Sequence, residues 1–271
     1  MPTSSGGAVV SYSVSPALPT GLGLDTSTGA VYGTPSEPTA AASYTVAATN
    51  SGGNATVSLS VAVGGPFPTQ ELLAYYPFNG DATDASGNGY NGIVNGATST
   101  TDRFGEPGRA YGFDSLNSFI NTSMPTVNIS SGAQVTVVFW MYWDGTTGSD
   151  GSARMPIGFA YYDLEIYAQC LGFNTGNADC YGASGAGLAN RWVNVAAIFT
   201  NGSVSGNSIY IDGVKQPLNQ YASHPLGRTV SSSMTIGGWP LDGNYRFGGK
   251  LDDVRIYNRA LSDAEVLLLS Q

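Results

Sequence analysis

The chain has 271 residues, enough for a sizeable core, and only 11% of them are charged. Nineteen acids against ten bases give a net charge of −9, which argues against phosphate-backbone binding and anionic membrane surfaces and suits cations or neutral partners such as sugars. No apolar run reaches the roughly 18 residues of a membrane span. The opening "MPTSSGG" lacks the basic and apolar regions of a signal peptide. The chain reads as a piece of a longer protein, and its Thr/Ser/Asn/Gly richness and low Lys content are those of exported surface proteins. Short β-branched and aromatic runs between Gly, Asn, Pro and Ser turns give an all-β pattern.

In chain order, "LPTGLGLDTSTGAVYGTP" reads as two short strands around an Asp/Thr/Gly turn. "SYTVAATN" and "ATVSLSVAV" then alternate, placing Tyr44, Val46, Ala48, Val57, Leu59, Val61 and Val63 on one face, with "NSGGN" as the hairpin turn. Gly64, Gly65, Pro66 and Pro68 in "VAVGGPFPTQ" break the chain. The stretches "SPALPTGLGLDTSTGAVYGTP" and "YTVAATNSGGNATVSLSVAV" resemble the immunoglobulin-like, cadherin-like repeat of bacterial surface proteins. The resemblance implies a spacer domain over residues 1–64, followed by a linker over 65–70.

Residues 71–271 carry many strands. "SLNSFINTS", "AQVTVVFWMYW", "MPIGFAYYDLEIYA", "CLGFNT", "RWVNVAAIFT", "SIYIDGVKQ", "MTIGGW" and "GKLDDVRIYNR" all read as strands of about four to nine residues. Asp212-Gly213 in "YIDGVKQ" is a hairpin signal. "LSDAEVLLL" opens a helical turn, with Ser262 as N-cap and Glu265 completing a capping box. Ten or more strands in about 200 residues suit a two-sheet jelly roll. "LLAYYPFNGDATDASGNGYNG", "FDSLNSFINT", "RWVNVAAIFTNG", "SIYIDGVKQ" and "GKLDDVRIYNRALSDAEV" resemble the laminin-G-like, concanavalin A-like lectin/glucanase jelly roll of bacterial surface and carbohydrate-active proteins.

"DASGNGYNG" places Asp84, Ser86 and Asn88 at alternate positions before Gly89, as in the opening half of a calcium loop. An EF-hand would close with Glu where this chain has Asn95, so the missing carboxylate must come from elsewhere. Asp252 and Asp253 stand in the otherwise apolar "KLDDVRIYN". The resemblance implies that this last strand lies near the loop, with a Ca²⁺ tying the termini. The expected structural Ca²⁺ site is therefore Asp84, Asn88 and Asp252 or Asp253, and the competing reading is an Asx turn closed by Asp84 itself.

Cys170 and Cys180 are equidistant from Thr175, so a hairpin turning there would oppose them in a disulfide, implying an oxidising compartment. Sugar sites pair aromatic faces with planar polar groups. "WMYWDG", "YYDLEIY", "FNTGNAD" and "WPLDGNYRF" supply both, and the candidate ligand-binding residues are Trp143, Asp144, Tyr161, Tyr162, Asp163, Asn174, Asn177, Asp179, Trp239, Asp242, Tyr245 and Arg246. Core filling competes for each aromatic.

Catalysis is not expected. Jelly-roll glucanases resembling this fold carry E-x-D-x-x-E or a close variant on one strand; the nearest string here, "YYDLEIY", has Asp163 and Glu165 at i, i+2 spacing, with Tyr161 in the first acid's place and no third acid following. The expected function is a non-catalytic adhesin fragment, extracellular or cell-surface and bacterial. Its jelly roll would recognise a glycan or glycoprotein on another cell, with no nucleic acid and no membrane insertion. The alternatives are a structural or oligomerising module of a surface fibre, a trimer at a fibre tip, and a glycoside hydrolase.

Overall fold

The computed structural model describes residues 8–271 apart from 34, 36–38, 64–66, 123, 125–126, 128, 147–152, 168, 231–233 and 242. The chain forms two compact units, one ending at Phe67 and one spanning Pro68–Ser270. The first unit has strands β1 (Ser11–Ser15), β2 (Leu22–Leu24), β3 (Val31–Gly33), β4 (Thr39–Asn50) and β5 (Gly53–Val63). They form a sheet ordered β1-β4-β5 and a separate β2-β3 ribbon. Tyr44 faces Leu59 and Val46 faces Val57 across β4 and β5, so the alternation places these side chains on one face. That face is only partly covered: Tyr44 is buried while Val57 stays 63% exposed.

The second unit continues with β6 (Leu72–Tyr76), β7 (Gly92–Asn95), β8 (Thr98–Thr100), β9 (Ala110–Asp114), β10 (Phe119–Thr122), β11 (Gln134–Trp143), β12 (Arg154–Phe159), β13 (Asp163–Tyr167), β14 (Cys170–Asn174) and β15 (Cys180–Ser184). Then come β16 (Trp192–Thr200), β17 (Ser208–Ile211), β18 (Val214–Lys215), β19 (Asn219–Ala222), β20 (Met234–Ile236), β21 (Gly248–Tyr257) and helix α1 (Asp263–Leu269). Two antiparallel sheets result. Sheet I runs β18-β17-β16-β11-β21-β9-β8, with β6 also paired to β21; sheet II runs β19-β15-β14-β13-β12-β20-β10-β7. Val137, Phe139 and Met141 of β11 meet Leu164, Leu171 and Phe173 of sheet II in one apolar layer, the two-sheet jelly roll expected from the sequence.

Sheet I is apolar on part of its other face too. Val138, Ala196, Ile198 and Tyr257 pack there with Leu261, just before α1, and with Val266 and Leu269 within it. Seven residues are too few for a stable isolated helix, so this apolar contact and the cap hold α1. Ser262 accepts from the Glu265 N–H while the Glu265 carboxylate accepts from the Ser262 N–H.

Two local expectations change. "MPIGFAYYDLEIYA" is the β12–β13 hairpin, turning at Ala160 and Tyr161, where Tyr161 takes φ +67°. The β14–β15 hairpin is centred on Asn177, not Thr175. Asp179 accepts from the Thr175 N–H, the Thr175 hydroxyl and the Asn177 N–H, closing a longer tip. Cys170 therefore faces Ser184 rather than Cys180. The disulfide still forms diagonally, with Cα atoms 6.5 Å apart. It does so over Gly172, where a Cβ would stand 2.6 Å from one sulfur and 2.7 Å from the other.

Replacing Ser262 with Ala should lower the stability of the second unit by about 1 kcal/mol in a urea titration, because one helix N–H loses its acceptor. Reducing Cys170–Cys180 should cost about 2–3 kcal/mol, read from the same midpoint, since it frees a short loop in the unfolded chain.

Candidate functional site

Strand β13 sets the chemistry. Leu164 and Ile166 point into the shared core, so Asp163 and Glu165 share the outer face of sheet II. Asn174 and Gly172 face them from β14. Outer-face acids are normally wet, yet Asp163 is 0% and Glu165 3% exposed. A roof explains part of this: the chain after β20 turns back, and a Cβ on Gly158 of β12 would strike the backbone of Gly238 and Trp239. Both Asp163 carboxylate oxygens and Glu165 Oε1 are buried with no hydrogen-bond partner among the described residues. Burial pushes both carboxyls well above their ordinary range, reinforced by the Glu165 charge at Asp163 and the Asp179 charge at Glu165. Nearby Arg154 is also buried, but its Nη1 reaches the Asn244 carbonyl at 3.4 Å.

Three aromatics stand on this roof and turn. Trp239 packs edge-to-face on Tyr161, with ring centroids 5.8 Å apart, and on Tyr245, at 5.5 Å. Tyr161 is 47% exposed. The Arg228 guanidinium lies 5.5 Å from the Tyr161 ring and is steadied by its Nε–H to the Thr175 carbonyl. Arg246 lies 4.0 Å over Phe119 and donates to the Trp239 carbonyl, anchoring the roof at both ends. The Trp239 indole Nε1 is buried without a partner among the described residues. The cluster thus offers ring faces, an arginine and a phenol within one small region. That combination can stack on the CH face of a sugar and bond its hydroxyls.

The other expected ligand residues are placed differently. Tyr162 is a core residue: its ring packs on Phe173 and Phe199, and its hydroxyl donates to the Thr200 carbonyl and Asn207 Oδ1. Asn174, Asn177 and Asp179 build the hairpin tip. Asn174 accepts from the Gly176 N–H, and Asn177 ties the tip to the His224 carbonyl. Trp143 and Asp144 belong to sheet I, where the Trp143 indole donates to the Thr146 carbonyl and Asp144 accepts from the Thr146 N–H and hydroxyl. Asp242 lies outside the described residues. Sequence reasoning missed Arg228 and Gly158; "GF" after "MPI" was the only trace of the close backbone approach at Gly158.

Each of the four expected calcium ligands has a protein partner in this structure. Asp84 Oδ1 accepts from the Tyr75 and Ser86 N–H groups, and Oδ2 from the Ser86 hydroxyl and the Tyr90 N–H. Burial raises the Asp84 pKa, but these bonds outweigh it and hold it below the ordinary range. Asn88 uses its amide as a donor to the Leu72 and Leu73 carbonyls. Asp252 and Asp253 are drawn instead to Arg103, at 3.0 and 3.2 Å. Among the described residues no three His, Cys, Asp or Glu are placed to hold a metal. The loop is the self-closed Asx arrangement.

Two outcomes follow. A carboxyl whose folded pKa is raised binds its proton more tightly in the native state, so its stabilisation is complete below the unfolded value near 4 and is lost as pH rises toward the folded value. Unfolding titrations from pH 4 upward should show stability falling as pH rises, and Asp163→Asn with Glu165→Gln should flatten the slope. Excess EDTA should leave the melting temperature of protein kept in calcium-containing buffer unchanged, whereas Asp84→Ala should lower it by several degrees.

Known proteins support the architecture. A family model described as the concanavalin A-like lectin/glucanases superfamily matches residues 116–267, and the "Putative Ig domain" model matches residues 1–64. Similar solved structures include the binding domain of Paraclostridial Mosquitocidal Protein 1 (TM-score 0.55, 18% identity, 74% of this chain and 52% of that one). The botulinum neurotoxin serotype D ligand binding domain in complex with N-acetylneuraminic acid is another (TM-score 0.51, 13% identity, 74% and 51%). Domain 4 of AbnA, a GH43 extracellular arabinanase from Geobacillus stearothermophilus, solved with arabinotriose, gives TM-score 0.49 at 23% identity over 74% of this chain and 98% of that one. The chain spans about half the length of the toxin binding domains, and at these identities the likeness concerns fold. No curated protein matches.

Proposed function

Because the chain belongs to the concanavalin A-like lectin/glucanases superfamily, we propose that its second unit is a non-catalytic glycan-binding module of an exported bacterial surface protein. The immunoglobulin-like unit is its spacer. The observation that carries this reading is the Tyr161–Trp239–Tyr245 cluster, which keeps the exposed Tyr161 ring, two further aromatic rings and the Arg228 guanidinium together on the outer face of sheet II. The botulinum serotype D domain, of the same fold, was solved with a sugar acid, which agrees in kind. The partner is a glycan or glycoprotein on another cell surface. The Cys170–Cys180 disulfide suits an oxidising, extracellular setting, and no described helix is long and apolar enough to cross a membrane.

Hydrolysis is disfavoured by burial. A retaining glycosidase needs two carboxyls about 5 Å apart flanking the scissile bond. Asp163 and Glu165 are sealed from solvent, so no glycosidic oxygen reaches them here. A structural or oligomerising role has one observation in its favour: β7, at the edge of sheet II, exposes Ile93 and Val94.

On a glycan array the wild-type chain should bind a discrete set of glycans. Trp239→Ala and Tyr161→Ala should each weaken the leading hit about tenfold, corresponding to about 1.4 kcal/mol. Equal binding by the variants would refute the site. A wild type that binds no glycan and sediments as a trimer would favour the fibre role.

A further inference from the structure

The outer face of sheet I holds a second cluster that the Tyr161–Trp239–Tyr245 site does not use. Alternation along β11 and β21 sends Trp140, Tyr142, Lys250 and Asp252 outward, with Trp140 facing Asp252 and Tyr142 facing Lys250. This stretch lies along the sheet from the Val138 and Tyr257 positions that pack with α1. In a regular strand Asp252 and Asp253 would point to opposite faces. Here the register shifts opposite Val138 and Trp140, and Asp253 takes φ +53°. This bulge re-aims the second acid, so both carboxylates reach the same guanidinium. Arg103 Nη1 lies 3.0 Å from Asp252 and 3.2 Å from Asp253. The guanidinium also sits 4.6 Å from the Trp140 ring and 4.5 Å from the Phe104 ring. The Tyr75 hydroxyl donates to Asp253 Oδ1 at 2.8 Å, so the acid pair is held from two sides.

A cleft of about 330 Å³ opens over this cluster, with Asn79, Arg103, Phe104, Glu106 and the two aspartates in its wall. A second cleft, of about 400 Å³, lies beside Tyr142, Asp144 and Lys250. The two share no lining residue but neighbour each other along β21, where Lys250 of the second and Asp252 of the first are successive residues on one face. Both volumes fall in the range of roughly 300–1,000 Å³ typical of small-molecule sites. An ion cluster serving only to pin residues 101–109 to the sheet would need neither the open volume nor Phe104, which is left 73% exposed at its edge.

We propose that these adjoining clefts form a second carbohydrate site, for a neutral oligosaccharide, on the outer face of sheet I. The Asp253 carboxylate, whose side chain keeps 17% of its surface open, the Asn79 amide and the Arg103 fork are planar groups that pair with vicinal hydroxyls, with Asp252 buried behind them to fix Arg103, and Phe104 and Tyr142 supply ring surface for CH faces. The charge balance selects against acidic sugars: Asp102, Glu106, Asp252 and Asp253 line the first cleft against Arg103 and Arg109, and Asp114 and Asp144 line the second against Lys250. Two sites on opposite sheets would let one module engage two branches or chains of a glycan-coated surface, raising avidity without new contacts.

Calorimetric titration separates this site from the one at Tyr161 and Trp239. The probes are cellotriose, maltotriose and arabinotriose as neutral trisaccharides, with sialyllactose as the acidic comparison. The full chain, its Trp239→Ala variant and its Phe104→Ala variant are each titrated; Asn79→Ala is a second surface variant that leaves the Arg103 cluster intact. At least one neutral trisaccharide should bind the Trp239→Ala protein. That binding should fall about tenfold in Phe104→Ala and in Asn79→Ala, with sialyllactose weaker than the neutral probes. The proposal is overturned if no neutral trisaccharide binds the Trp239→Ala protein, if Phe104→Ala and Asn79→Ala leave binding unchanged, or if sialyllactose binds this face best. Loss of all binding in Trp239→Ala would overturn this site and leave the first standing. Binding insensitive to Trp239→Ala but lost in Phe104→Ala would do the reverse.

Discussion

Four aromatic rings lock the two sheets of the second unit together. Phe199 of β16 stacks edge-to-face with Phe159, Tyr162 and Phe173, at centroid distances of 5.4, 5.2 and 4.9 Å. The contact fixes which side of β12, β13 and β14 faces inward. Once Tyr162 and Leu164 are committed to the core, Tyr161, Asp163 and Glu165 must lie on the other side. Everything at the outer face of sheet II follows from that parity, including the burial of two acids beneath a returning loop. A slip of one residue would carry both acids into the core and both apolar side chains out.

The outer faces are where the sheets differ. Sheet I is covered over part of its length by α1, and the stretch beyond carries an ion cluster with aromatic neighbours. Sheet II is covered by the segment around Trp239 and leaves Tyr161 open. The acids of the two faces also differ in their partners. Asp252 meets Arg103, although burial and then Asp253 still push it up to about 7. Asp163 and Glu165 find no cation among the described ion pairs, and their desolvation is offset by the fold as a whole. Sites held at a cost in stability are more often functional than structural.

Much of this was legible in the chain. "YIDGVKQ", "NSGGN" and "LSDAEVLLL" carry their turn and cap chemistry in single residues, and each formed where it reads. Harder to read were features that depend on a partner strand. Nothing local distinguishes Tyr161 from Tyr162 in "YYDLEIY"; the choice is made by Phe199, far along the chain. The disulfide pair was legible, but its register was not, because Asp179 lengthens the hairpin tip through bonds that composition does not announce. "DASGNGYNG" reads as half a calcium loop because short oxygen side chains that suit an ion also suit backbone N–H groups. Here Tyr75, Ser86 and Tyr90 claim both oxygens of Asp84. The Asp252-Asp253 pair pointed to one inward acid in need of a partner, but not to the bulge that delivers both acids to Arg103.

The central claim is that a sugar lands on Trp239. The chain has four tryptophans, at positions 140, 143, 192 and 239, so the indole N–H resonances form a small and assignable set. The direct measurement is a ¹⁵N–¹H spectrum of these four signals during titration with the glycan that binds best. The Trp239 signal should move most, because a sugar stacked on the Tyr161–Trp239–Tyr245 rings changes the shielding of that indole, while Trp143, on sheet I and bonded to the Thr146 carbonyl, should hold still. Saturable binding that leaves the Trp239 signal in place would contradict the account.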